Sequence, residues 1–150
     1  MSPFWKNKKD EYVIIVGCGR LGANIANRLS ENGESVLIID TSKDSFRKLS
    51  PSFSGITLAG DATYIQVLHE AEISRATVVV SVTNYDNTNI LVAQIAKKMF
   101  GIERVIARLY DPERECVYHD FKIDTICPAV LSTKEIDKFL NIAETEENAI

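Results

Sequence analysis

The chain has 150 residues, 45% of them hydrophobic and 25% charged, and a net charge of −4 at pH 7. That length fits one domain with a sizeable core. The acidic balance excludes a broad nucleic-acid-binding surface, no apolar run nears the ~18 residues of a membrane span, and the opening MSPFWKNKKDEY lacks the apolar core of a signal peptide.

A cytosolic protein is therefore expected. Cys18, Cys116 and Cys127 agree with this, because their number is odd and no C-x-x-C occurs. Neither a disulfide framework nor a zinc site is suggested. Residues 1–11 read as a flexible leader; the alternative is a small contact site made of Phe4, Trp5 and the nearby lysines.

Tyr12–Val16 is apolar and β-favouring, and reads as a buried strand. Gly17-Cys18-Gly19-Arg20-Leu21-Gly22 follows, with glycines spaced G-x-G-x-x-G, and then an amphipathic helix to about Asn32. Asn32-Gly33 stops it. Ser35–Ile39 is a second strand, ending at Asp40, and Thr41 or Ser42 caps a short helix through Leu49. Ile56–Ala59 is a third strand running into Gly60-Asp61, and Thr63 starts a helix to about Ala71. Thr77–Val82 is a β-branched fourth strand, and a long helix spans Asp86 to Phe100 before Gly101. Arg104–Leu109 is strand five, and Asp111-Pro112-Glu113 is a strong helix start. Ile123–Cys127 is strand six, closed by Pro128, and Ser132-Thr133-Lys134-Glu135 matches a capping box for a last amphipathic helix carrying Ile136, Phe139, Leu140 and Ala143. Residues 143–150 form an acidic tail, leaving 12–142 as the domain. Strands alternating with helices imply an α/β, Rossmann-like, doubly wound parallel six-stranded sheet with helices on both faces.

Ligands of such sheets sit at the carboxyl ends of the strands. The glycine turn is a phosphate site in physical terms. Gly17 allows the sharp turn, Gly19 lets a phosphate approach the backbone, and Gly22 lets helix and strand pack closely. Free N–H groups and the helix dipole face the anion. Asp40 lies 23 positions beyond Gly17, close to the ~20 expected of a ribose-binding acid. A carboxylate there disfavours a 2′-phosphate, hence NADP. The alternative is a turn aspartate capping the next helix. Asp61 offers the same pair of readings, an adenine-edge contact or a cap. Thr83-Asn84 closes strand four with polar groups, and Arg108 needs an anion if it faces the cleft. Its alternative is an exposed arginine, or one paired with Asp111. Arg20, on the first helical turn, suits a terminal phosphate; otherwise it is a solvated surface residue. Cys18 is a spacer, or a thiol with a lowered pKa near a helix N-terminus. His69 and His119 read as surface residues. No nucleophile elbow, P-loop lysine or metal cluster appears in the sequence.

Gly17–Gly22, Asp40, Gly60-Asp61-Ala62-Thr63, Thr83-Asn84 with Asn89, and Val105-Ile106-Ala107-Arg108 together resemble the KTN domain, also called the RCK N-terminal domain, over about residues 12–142. The resemblance implies a cytosolic regulator of Trk- and Ktr-type potassium transporters or potassium channels that binds an adenine nucleotide (AMP, ADP or ATP) or NAD(H). It also implies a homo-oligomer, a dimer or a ring, at the inner face of the membrane beneath an integral-membrane transporter subunit, with a C-terminal crossover helix and no nucleic-acid partner. The cofactor-binding set is then Gly17, Cys18, Gly19, Arg20, Leu21, Gly22, Asp40, Thr41, Lys43, Gly60, Asp61, Ala62, Thr83, Asn84 and Arg108, with no catalytic residue and no metal ligand. Many members have Gly before strand six and Pro-Glu after it. Lys122 and Ala129 stand there instead, so a glutamate contact at that point is not expected.

Independently of the resemblance, Ile90, Leu91, Val92, Ala93, Ile95, Ala96, Met99 and Phe100 are apolar on more than one face of the long helix. Such a surplus suggests a partner, or a helix wedged between neighbours in the monomer. The expected function is a regulatory nucleotide sensor; the alternatives are an NAD-dependent oxidoreductase, or its cofactor half, and an interaction module with a vestigial site.

Overall fold

A computed structural model describes residues 10–119 and 121–142. Most of the expected leader and all of the expected acidic tail, with Ala143, lie outside the described residues. Six parallel strands form one sheet: β1 (Tyr12–Val16), β2 (Ser35–Asp40), β3 (Ile56–Ala59), β4 (Val78–Ser81), β5 (Arg104–Arg108) and β6 (Asp124–Ile126). Their order is β3-β2-β1-β4-β5-β6. The helices are α1 (Arg20–Glu31), α2 (Ile65–Glu70), α3 (Asp86–Gln94), α4 (Glu115–His119) and α5 (Pro128–Leu140).

β1 lies at the centre of the sheet, with Ile14 opposite Leu37 on one side and Val79 on the other. Its side chains alternate between two separate cores. Val13 and Ile15 join Val36, Ile38, Val78 and Val80 beneath Ala23 and Ala26 of α1. Ile14 and Val16 join Leu37, Ile39 and Val79 beneath Leu68 of α2 and Val92 and Ala93 of α3. The continuous apolar run that marked this strand is the consequence of being covered on both faces. The sheet is a six-stranded, doubly wound, Rossmann-like arrangement with helices on both faces, as the alternation of elements implied.

Several local boundaries differ from the sequence reading. After Asp40 the expected short helix forms as a 3-10 helix, Lys43–Lys48, a form common in short connecting segments. The helix expected from Thr63 begins at Ile65, because Thr63 is held in an Asx turn by Asp61. Thr77 lies outside β4, its hydroxyl bonded to the Tyr12 backbone at 3.1 Å from the N–H and 3.2 Å to the carbonyl. The long helix changes to a π-helical turn over Ile95–Met99. Its apolar surplus is mostly absorbed by the monomer: Val92, Ala93, Ile95 and Ala96 are buried, and Ile90 and Phe100 pack against the same core. Leu91 and Met99 are left exposed.

α5 starts four residues before the expected capping box. Pro128 occupies the first turn and Cys127 is the cap residue. Ser132 and Thr133 are thus inside the helix, where the Thr133 hydroxyl donates back to Ala129 O at 2.8 Å. Asp111 caps as expected, accepting from the Glu113 N–H at 3.0 Å, although the turn it opens, Pro112–Arg114, is 3-10 and leads into α4.

Candidate functional site

β1 and β4 are neighbours, yet the chain leaves them toward opposite sides of the sheet. The loops at their carboxyl ends therefore diverge and open a cleft. Its volume is ≈ 390 Å³, within the range of small-ligand pockets. From the expected set, Gly17, Cys18, Gly19, Asp40, Thr41, Gly60, Asp61, Ala62, Thr83 and Asn84 line it. Arg20, Leu21, Gly22, Lys43 and Arg108 do not.

Gly17 has φ +107°, and a Cβ there would lie 2.9 Å from the Val82 and Thr83 backbone. A Cβ on Gly22 would sit 1.8 Å from the Gly17 carbonyl oxygen. Both glycines are therefore required by packing. Gly19 differs: its backbone is extended, and nothing lies within 4 Å of a Cβ built there. It has no side chain to cap α1, so the first-turn N–H groups are left without a side-chain cap. The turn presents backbone donors at the positive end of a twelve-residue helix.

Asp40 makes the turn contact of one reading and also lines the cleft. Its Oδ2 accepts from the Cys18 N–H and its Oδ1 from the Ser42 N–H, each at 2.8 Å. One carboxylate thus closes its own turn and ties the end of β2 to the glycine turn. Each oxygen keeps a lone pair for a further donor. Asp61 is fixed through Oδ1 alone, by the Thr63 N–H at 2.9 Å and hydroxyl at 2.6 Å.

The Cys18 thiol is buried and donates to Ser45 O at 3.4 Å. Burial raises its pKa above the ordinary 9.0, Asp40 raises it further, and Lys48 opposes them. An activated thiolate is therefore the wrong reading, because the helix dipole is outweighed by desolvation and a neighbouring carboxylate.

On the opposite wall Asn89 organises the strand ends. It is fully buried. Its Oδ1 accepts from the Thr83 N–H at 2.8 Å, the Thr83 hydroxyl at 2.6 Å and the Ser81 hydroxyl at 3.2 Å. Its Nδ2 donates to Thr83 O at 3.0 Å and Arg108 O at 2.9 Å. The Thr83 hydroxyl proton is thus committed inward, not toward a ligand. Arg108 is likewise turned to structure. Its Nη2 donates to Val82 O at 2.8 Å, Thr83 O at 3.0 Å and Asn84 Oδ1 at 3.4 Å, and its guanidinium sits 5.1 Å from the Tyr110 ring centre. Carbonyl dipoles supply the negative environment expected from an anion. Asp111 pairs with Arg114 at 3.6 Å instead.

Arg20 and Lys43 are exposed. Ser45, Lys48, Tyr85 and Thr88 line the cleft but were not anticipated. Tyr85 follows Thr83-Asn84 directly and could have been read from that position. Ser45 and Lys48 carry no such signal, since a 3-10 segment brings them in. Past Asn84 and Tyr85 the cleft opens to a shallower groove of ≈ 330 Å³ bounded by Asp86, Asn87, Tyr110 and Arg114. His69 and His119 are exposed. Among the described residues no helix is long and apolar enough to cross a membrane, and no cluster of metal-ligating side chains occurs.

A family model, the TrkA-N domain, matches residues 13–128. The chain is 41% identical over 115 residues to the Trk system potassium uptake protein TrkA of Streptomyces coelicolor, a match covering 77% of this chain and 52% of that protein. Among solved structures it is similar to the GsuK RCK domain, with TM-score 0.76, 26% identity and coverage of 91% of this chain and 29% of that one. It is equally similar to GsuK bound to ADP, with TM-score 0.75, 26% identity and coverage of 92% and 36%. The chain spans about half the length of the curated relatives it matches.

Proposed function

This chain belongs to the TrkA-N family, and from that premise we propose that it is the nucleotide-binding regulatory domain of a potassium uptake system. The observation that carries the reading is one juxtaposition. The glycine turn and Asp40 meet in a single cleft at the sheet's switch point, joined by the hydrogen bond from the Cys18 N–H to Oδ2. A ligand bearing a phosphate next to a ribose matches it. The phosphate sits over Gly19 against the first-turn N–H groups, and the ribose hydroxyls reach Asp40. Gly60, Asp61 and Ala62 flank the adenine, with Asp61 Oδ2, which has no partner among the described residues, facing its amino group. Arg20, projecting from the first turn, meets a phosphate chain that extends past the cleft. The adjoining groove at Tyr85 and Tyr110 accommodates the second nucleotide of NAD(H).

The role is regulatory, not catalytic: relatives are named for potassium uptake, and a similar structure holds ADP. The domain acts in the cytoplasm, as a homo-oligomer seated against an integral-membrane transporter subunit. Nucleotides then bias the arrangements of the assembly according to their differing affinity for each. Calorimetric titration with AMP, ADP, ATP, NAD and NADH should give saturable binding for at least one. A flat titration with all five, on protein shown to be folded, would overturn the reading.

A further inference from the structure

The glycine turn meets a phosphate with backbone alone, and backbone N–H groups carry no net charge. The side chains lining the cleft add two carboxylates, Asp40 and Asp61, and one cation, Lys48. An anion entering this space is repelled by two like charges, so its affinity depends on what offsets them.

Lys48 is brought there by a specific local structure. It ends the 3-10 helix Lys43–Lys48, and its ammonium donates to Cys18 O at 3.4 Å. One 3-10 turn earlier, Ser45 O accepts from the Cys18 thiol, also at 3.4 Å. The two contacts fasten the segment to the glycine turn and hold the ammonium at its rim. An ammonium has three protons, so hydrogen-bonding capacity remains after the Cys18 contact. The neighbouring cations are placed differently. Arg47 is paired with Asp44 at 2.9 Å, and Lys43 and Arg20 are outside the cleft wall.

We propose that Lys48 determines the cleft's preference for phosphate-bearing ligands, neutralising the phosphate over Gly19 against Asp40 and Asp61; this rests on the nucleotide-binding reading above. A lysine is a flexible point charge without the fixed fork of arginine, so it responds to charge more than to phosphate geometry.

The test is calorimetric titration of the full chain with adenosine, AMP and ADP at low and high salt, with melting temperatures measured in parallel. Lys48→Met should weaken AMP and ADP about fivefold to tenfold, as loss of a partly screened charge-assisted hydrogen bond predicts, and leave adenosine unchanged. Lys48→Gln should do the same and guards against a folding defect peculiar to methionine. Lys48→Arg should restore affinity to within about twofold, and Arg28→Met, in the last turn of α1 and far from the glycine turn, should have no effect. High salt should narrow the preference of the wild type for AMP over adenosine, but not that of Lys48→Met. Unchanged AMP affinity in both neutral variants, or an equal loss for adenosine, would overturn the inference while leaving nucleotide binding intact. A folded wild type that binds none of the three ligands would overturn both together.

Discussion

Gly19 and Gly22 are three residues apart in one motif and are required for opposite reasons. At Gly22 a methyl group would overlap the Gly17 carbonyl, so Gly22→Ala should cost about 3 kcal/mol in urea unfolding through forced backbone movement. At Gly19 the same methyl enters empty space on an ordinary backbone. Gly19→Ala should therefore stay within about 1 kcal/mol of wild type in stability yet lose nucleotide affinity, since the methyl occupies the phosphate's position. The packing role of Gly22 was legible, because glycine spacing reports backbone constraints directly. Charged side chains were less so. Arg20 sits in the motif but is not part of the cleft lining, whereas Lys48 lies eight positions past Asp40 and lines it, its segment fastened to Cys18. A long side chain's destination depends on tertiary contacts that local sequence does not encode.

At the scale of elements, Asn89 couples α3 to the ends of β4 and β5. Replacing it with alanine would strand the Thr83 N–H, the Ser81 hydroxyl and the Arg108 carbonyl in a buried place. Asn89→Ala should cost about 3 kcal/mol, measured by urea unfolding, from several unsatisfied groups in a low-dielectric setting. The elements themselves were largely readable. The central strands β1, β2 and β4 fall where β-branched runs occur, since two-sided burial demands such runs, whereas β3 and β6 are mostly exposed and were marked by their short apolar segments alone. The errors cluster at helix starts. Ser132–Glu135 has the composition of a capping box, but a cap requires non-helical backbone at Ser132. Pro128, taken as a strand terminator, in fact opens α5 at its first turn, so the chain is already helical by Ser132. A motif of four residues cannot reveal whether the preceding four have begun to turn.

For the whole molecule, the balance of exposed apolar surface has moved from α3 to α5. None of the α5 residues is buried, and Leu131, Ile136, Phe139 and Leu140 are all exposed, Phe139 at 81%. A helix with an apolar stripe and no core of its own requires cover from elsewhere. Sedimentation equilibrium should give a dimer or larger species, and Phe139→Asp should shift it toward monomer without lowering the melting temperature of the isolated fold. This part of the reading depended on the structure, because periodicity marks an apolar stripe but not which side of the sheet remains to receive it.

The seam between the two halves of the sheet carries one more implication. There the Val82 N–H donates to Val16 O at 2.8 Å, and Gly17 lies too close to Val82 to admit even a methyl group. A ligand settling over such a joint has nothing to pry apart. If the proposed nucleotide binding holds, the domain would act as a die and not as a jaw: a bound ligand would alter the relief and charge of the rim, and any message sent onward would be taken from that rim by whatever is pressed against it.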